Sequence, residues 1–192
     1  MTVARTVSIG TMVLAAWMVA GSGSAVWAQT APAPGAGGTT TLAADLVKDW
    51  EAQKDMLVKI ADAMPEDKFG FKSTPAQRSY GEQIMHIATA NVGLSKLIDS
   101  KGTPPTFTAE SAKTKAEILK ALSDSYDFGI AALKNQTDAT LQETVQGPRF
   151  LGPSTRARIA YRTLGHSMDI YGQMAVYLRL NGIVPPASRN SM

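Results

Sequence analysis

The sequence predicts an all-α protein, a bundle of four helices, and three observations carry that expectation. Apolar residues recur at steps of three or four in four separate stretches, the pattern of a helix with one buried face. Start and stop residues bracket each stretch. No segment reads as a confident strand, although "ETVQGPRFLG" (143–152) is suited to a short extended piece over one end of the domain.

In the first stretch Leu42, Leu46, Trp50, Gln53, Leu57, Ile60 and Met64 share a face, with Thr41 as N-cap and Pro65 as the stop. The second opens on Ser79 and Glu82, which have the S-x-x-E spacing of a capping box, and carries Ile84, Ile87, Asn91, Leu94 and Ile98 before Gly102 and Pro104. Thr114 and Glu117 repeat the device ahead of Ile118, Leu122, Tyr126, Gly129 or Ile130, and Leu133. The fourth starts near Ser154 as N-cap and runs to about Leu180. There Asn181 and Gly182 offer a left-handed ending and Pro185 prevents a restart. Four helices with one apolar face each bury those faces together most economically as a bundle. The connections at roughly 65–78 and 136–153 are long enough for a crossover.

Ahead of this domain (41–189) lie two segments of different character. Residues 1–28 combine Arg5, the apolar run "VSIGTMVLAAWMVA" and a small-residue end at Ala28, the layout of a cleavable secretory signal peptide. The run is shorter than the ~20 residues that span a bilayer, so no stable membrane span is expected after cleavage. Residues 29–40, "QTAPAPGAGGTT", read as a flexible linker. The leader points to a periplasmic or secreted bacterial protein. The chain has no cysteine, which excludes disulfides, lipid attachment at a processed N-terminal cysteine, and thiol nucleophiles. Without its leader the chain has 18 basic and 16 acidic side chains, net +2, which leaves no basic footprint for nucleic acid.

Chemistry has few places to reside. There is no H-E-x-x-H pair, EF-hand loop or phosphate-binding glycine loop, and no motif singles out a serine for triad chemistry. The two histidines are His86 and His166. His166 shares a face with Ile159, Thr163, Ile170, Gln173, Tyr177 and Leu180, the inward stripe of the fourth helix. His86 shares one with Glu82, Thr89, Ala90 and Gly93, whose small members leave space. One histidine on each of two helices is how bundle metal sites are assembled. Two imidazoles are one short of the three protein ligands of a usual catalytic zinc, and hydrogen-bonded core histidines are the commoner arrangement. Arg156, Arg158 and Arg162 are either an anion-binding cluster near a helix start or a solvated basic edge. Tyr171 and Tyr177, like Met168 and Met174, read as packing residues at helical spacing.

"MPEDKFGFKSTPAQRSYGEQIMHIATAN" (64–91), followed by "HSMDIYGQMAVYLRLNGIVPPASR" (166–189), resembles the DinB-like family, and the resemblance extends over residues 42–189. It implies a four-helix bundle, often a homodimer, with a divalent metal such as zinc or nickel held by three histidines. One lies on the second helix and two lie four residues apart on the last. Relatives include thiol-dependent transferases or isomerases and metal-dependent hydrolases. His86 matches the first ligand and His166 the second, but the third position holds Ile170, "DIYGQ" where relatives read "DHYGQ". Structural zinc sites are worth about 10–16 kcal/mol in all, so losing one imidazole of three costs several. Glu82 and Gln173 are the substitutes within reach, although the capping box gives Glu82 a structural task. The resemblance therefore implies an exported protein with an incomplete metal site, non-catalytic or weakly binding a metal or small molecule. The alternative is a metal-dependent transferase or hydrolase with a non-histidine third ligand.

Overall fold

The computed structural model describes residues 40–108 and 112–191. The leader expected at 1–28 and the linker at 29–40, apart from Thr40, lie outside the described residues. Four long helices carry the fold: α1 (Leu42–Asp62), α2 (Tyr80–Ile98), α3 (Lys115–Lys134) and, after a short α4 (Asp138–Leu141) and a hairpin, α5 (Arg156–Leu180). Among the described residues no helix is long and apolar enough to cross a membrane.

The ends are fixed by local chemistry. Thr41 Oγ1 accepts from Ala44 N at the start of α1, and the carboxylate of Asp138 accepts from Leu42 N and Ala43 N, which ties α4 to the same helix start. Ser79 with Glu82 and Thr114 with Glu117 form the two expected capping boxes. The N-cap of α5 is Thr155, one residue after the expected Ser154. Ser154 instead pairs with Val145 in the hairpin, and its hydroxyl donates to the Gly152 carbonyl. At the other end of α5, Gly182 takes φ +71° and Ile183 N–H reaches back to Leu178 O, the hydrogen bond of a Schellman ending.

Packing departs from simple up-down order. Helix α3 packs against α1 and α2, α2 against α5, and α5 against α1, so the consecutive helices α1 and α2 are diagonal neighbours. The long 63–79 connection makes that crossing. The core is built from the faces the periodicity marked: Leu46, Trp50, Leu57 and Ile60 of α1, Ile84, Ile87 and Ile98 of α2, Leu122, Tyr126 and Leu133 of α3, and Ile159, Ile170 and Tyr177 of α5, joined there by Met174 and by Leu178, which lies outside the expected stripe. Met168 and Leu180 are the exceptions. Met168 is 42% exposed, and Leu180, expected on the inward stripe, is 59% exposed because it closes the last turn of α5 beyond the packed core, whereas Met174 is buried as expected.

The one departure from an all-helical domain among the described residues is an antiparallel hairpin. Strand β1 (Thr144–Gln146) pairs with β2 (Pro153–Thr155), with Thr144 opposite Thr155 and Gln146 opposite Pro153. The extended piece expected in 143–152 is thus its first strand and loop, and the second strand lies beyond the expected range. Gly147 N–H donates to Gly152 O, and a Cβ on Gly147 would come within 2.6 Å of that oxygen, so glycine is required there. The hairpin delivers the chain into α5 and leaves its loop beside α2.

Candidate histidine site

Helices α2 and α5 run antiparallel, and their cross-contacts fall in register: Arg78 with Tyr177, Gln83 with Gln173, and His86 with His166. The capping box sets where α2 begins, and Thr155 sets where α5 begins. Together these starts bring the two histidines to the same level. His86 Nε2 and His166 Nε2 are 3.2 Å apart, with ring centroids at 5.0 Å and planes inclined by 67°. Such a contact needs one ring to donate and the other to accept, so the pair holds a single proton between the two nitrogens when both rings are neutral.

Both rings are pushed toward that neutral state. Burial lowers the pKa of His86, and the charges of Arg78 and His166 add to it. Burial also lowers the pKa of His166, which Asp169 opposes and Arg162 and Arg78 reinforce. Neutral imidazole is the form that ligates metals. Two nitrogens on one tetrahedral zinc are separated by about 3.4 Å, given Zn–N bonds of ~2.0–2.1 Å. The observed spacing therefore suits two coordination positions of one ion. His166 Nδ1 is buried and has no hydrogen-bond partner among the described residues.

The other sequence candidates are placed as follows. Ile170 is 3% exposed and packed into the core, one turn beyond His166. Glu82 Oε2 accepts from Ser79 N at 2.6 Å and lies 3.6 Å from Lys72 Nζ. Its pKa is lowered, chiefly by that backbone hydrogen bond. Gln173 Oε1 accepts from Gln83 Nε2 at 2.8 Å, and its Nε2 donates to Asp169. Among the described residues no group of three His, Cys, Asp or Glu side chains forms a metal cluster. Tyr177 donates to Arg78 O and packs edge-on against Phe71, away from the histidines.

The three arginines separate. Arg156 pairs with Glu143 and donates to Thr140 O, and Arg158 donates to Leu151 O and Ser154 Oγ. Both are spent on holding the hairpin. Arg162 lines a cavity of about 570 Å³ bounded by α2, α5 and the hairpin loop, with both histidines in its wall. Phe150, Leu151 and Pro148 of that loop, with Leu94 and Leu97 of α2, form its apolar side. Sequence reasoning put Leu94 on the apolar face of the second helix and 143–152 in an extended piece, but it did not bring these residues together as a cavity wall. The one available signal was Phe150, an aromatic between Gly-Pro and Leu-Gly in a predicted connection, and it is 72% exposed.

The domain is a helical bundle in which a histidine of the second long helix meets one of the last. The chain matches the DinB superfamily over residues 49–174 and belongs to it. Similar solved structures include a DinB-like protein from Bacillus cereus ATCC 10987, 19% identical with a TM-score of 0.66, the match covering 76% of this chain and 96% of that one. A DinB-like protein from Bacillus subtilis is 17% identical with a TM-score of 0.59, over 72% of this chain and 92% of that one. At these identities the likeness is one of fold. No curated protein matches the chain.

Proposed function

We propose that this is an exported binding protein of the DinB superfamily whose metal site is reduced to the pair His86 and His166. In this reading it holds a divalent ion weakly, or a small molecule in the adjoining cavity, and has no catalytic metal centre. The observation that carries the reading is the 3.2 Å approach of the two Nε2 atoms one turn from a buried Ile170, whose side chain has no lone pair to offer. Glu82 and Gln173 support it because each is committed to other partners. Export rests on the leader-like residues 1–28.

Zinc titration of tag-free protein tests this directly. Wild type should bind zinc weakly, and Ile170→His should tighten binding by about a hundredfold or more, since each tenfold is 1.4 kcal/mol and a third imidazole supplies several. A thermal melt controls for the altered core. Stoichiometric zinc or nickel in wild-type protein as purified would overturn the reading in favour of the metal-dependent transferase or hydrolase. No gain from Ile170→His in a folded protein would show that the three positions do not converge.

A further inference from the structure

The cavity beside the histidines changes character along its length. His86 and His166 stand at one end, and Arg162 stands one turn before His166 on α5. Moving away from the pair along α2, the wall continues through Ala90 and Gly93 to Leu94 and Leu97, and the hairpin loop closes the far side with Leu151 and Phe150. A volume of about 570 Å³ lies within the ordinary range for small-molecule sites. Among the residues that line this wall Arg162 is the one Lys, Arg, Asp or Glu. Unlike Arg156 and Arg158, it makes no salt bridge or hydrogen bond among the described residues. A planar guanidinium at the edge of an apolar cavity can match one carboxylate bidentately. It offers too little charge for a phosphate dianion, and it repels an amine.

We infer that the cavity binds an apolar monocarboxylate, with the carboxylate at Arg162 and the hydrocarbon against Leu94, Leu97, Leu151 and Phe150. The inference rests on reading this cavity as a small-molecule site and adds the chemical class of the ligand. It also accounts for Phe150, which lines the cavity and yet is 72% exposed. A bound hydrocarbon would cover that ring and shed the water from both surfaces. The device is independent of any metal, since the hydrocarbon and the guanidinium lie on the side of the histidines that leads to the hairpin.

Calorimetric titration of EDTA-treated protein with octanoate, octanol and octylammonium tests the inference. Octanoate is expected to bind one to one, about tenfold or more tighter than octanol, with octylammonium weakest. Arg162→Ala should bring octanoate down to the affinity of octanol and leave octanol unchanged; Arg162 is exposed, so the fold should tolerate its loss. Gly93→Leu should weaken both ligands. An added Cβ at Gly93 meets nothing within 4 Å, so a side chain can start there without a clash at its base, and a thermal melt checks that the fold accepts the rest. Equal affinity for octanoate and octanol, or octanoate binding that survives Arg162→Ala, would overturn the carboxylate assignment while the zinc result stood unaffected. If neither octanoate nor octanol binds, the cavity does not take such chains and the inference fails, whatever the histidines do.

Discussion

Two polar clusters sit on the same pair of helices, and they differ in how far their hydrogen bonds are closed. One centres on Asn91 of α2 and Ser167 of α5. Ser167 donates to Asn91 Oδ1, Asn91 Nδ2 donates to Ser125 of α3, and Ser125 donates on to Leu122 O. Beside it Tyr126 donates to Gln53 of α1, whose amide donates to Leu164 O. All four long helices meet there, and Asn91, Ser125 and Ser167 are fully buried. The other cluster is His86 with His166, next to Ser167 in sequence. It has one internal hydrogen bond, an unpartnered Nδ1 and a cavity alongside. Buried polar groups that satisfy one another fix a unique packing. A pair left half satisfied at the wall of a chamber is poised to meet something else.

Packing repeats the contrast. Gly129 on α3 faces Trp50 of α1, and a Cβ there would fall 2.2 Å from Trp50 Cζ3 and 2.7 Å from Ser95 Oγ. Close approach prevails over hydrogen bonding here, because Trp50 Nε1 and Ser95 Oγ have no partner among the described residues. Gly93, by contrast, faces open space. The largest effect predicted follows from this. Gly129→Ala gains about 1 kcal/mol of helix propensity but must push a fully buried indole out of place, and overpacking costs typically 1–3 kcal/mol or more. Because the added carbon would sit 2.2 Å from the indole, the cost falls at the top of that range, and a net loss of about 2 kcal/mol in urea unfolding is expected. A Gly129→Ala protein as stable as wild type would mean that the sealed layer is no tighter than the open one.

The closed polar cluster gives the next largest effect. Asn91→Leu keeps the branching and the number of heavy atoms, at some cost in added bulk, but strips Ser167 and Ser125 of their shared partner. Each group left unsatisfied in the interior costs about 1–3 kcal/mol, with Ser125 spared by its bond to Leu122 O. A loss of about 1–2 kcal/mol in chemical denaturation is expected. By comparison, replacing His86 with Gln should change stability near neutral pH by less. Should the two substitutions cost the same, the distinction between a structural and a poised cluster would collapse.

The helices were legible in the sequence because their signals are local. A Ser or Thr three residues before Glu marks a start whatever the rest of the chain does, and Ser79 and Thr114 are where their capping boxes form. Buried faces follow from spacing alone, which is why Leu46, Trp50, Leu57 and Ile60 were recoverable. The hairpin was half legible: strands of three residues carry almost no period, and the pairing of Thr144 with Thr155 depends on a loop between them. The start of α5 slipped by one because Ser154 and Thr155 both carry a capping hydroxyl; that of Ser154 is taken up by Gly152 O and the Arg158 guanidinium, and that of Thr155 accepts from Arg158 N. The position and face of the histidines could be read, but the cavity could not. Its apolar wall comes from the hairpin loop, and the separation of Arg162 from Arg156 and Arg158 requires knowing where that loop lies.

The smallest effect separates the clusters by pH. His86 and His166 have pKa values held below the ordinary 6.5, first by burial and then by neighbouring cations, with Asp169 opposing at His166. A histidine with a depressed folded pKa takes up its proton more readily when unfolded. The stability tied to its neutral form is therefore complete above about 6.5 and drains away as pH falls toward the folded value. Solvent still reaches both rings, which keeps the effect below those of Gly129 and Asn91. The carboxyls of Glu82, Asp99 and Glu117 are lowered from ordinary values of 4.5, 3.8 and 4.5, so their loss of stability sets in mainly below the histidine range and is common to wild type and the double variant. Unfolding free energies measured between pH 7.5 and 5 should decline in wild type and stay nearly flat in the double variant His86→Gln, His166→Gln. An unchanged decline in the double variant would place the titrating groups elsewhere. The closed cluster responds only at the other extreme, since burial pushes the Tyr126 hydroxyl up to about 12, and its contribution persists until pH rises past the ordinary tyrosine value near 10.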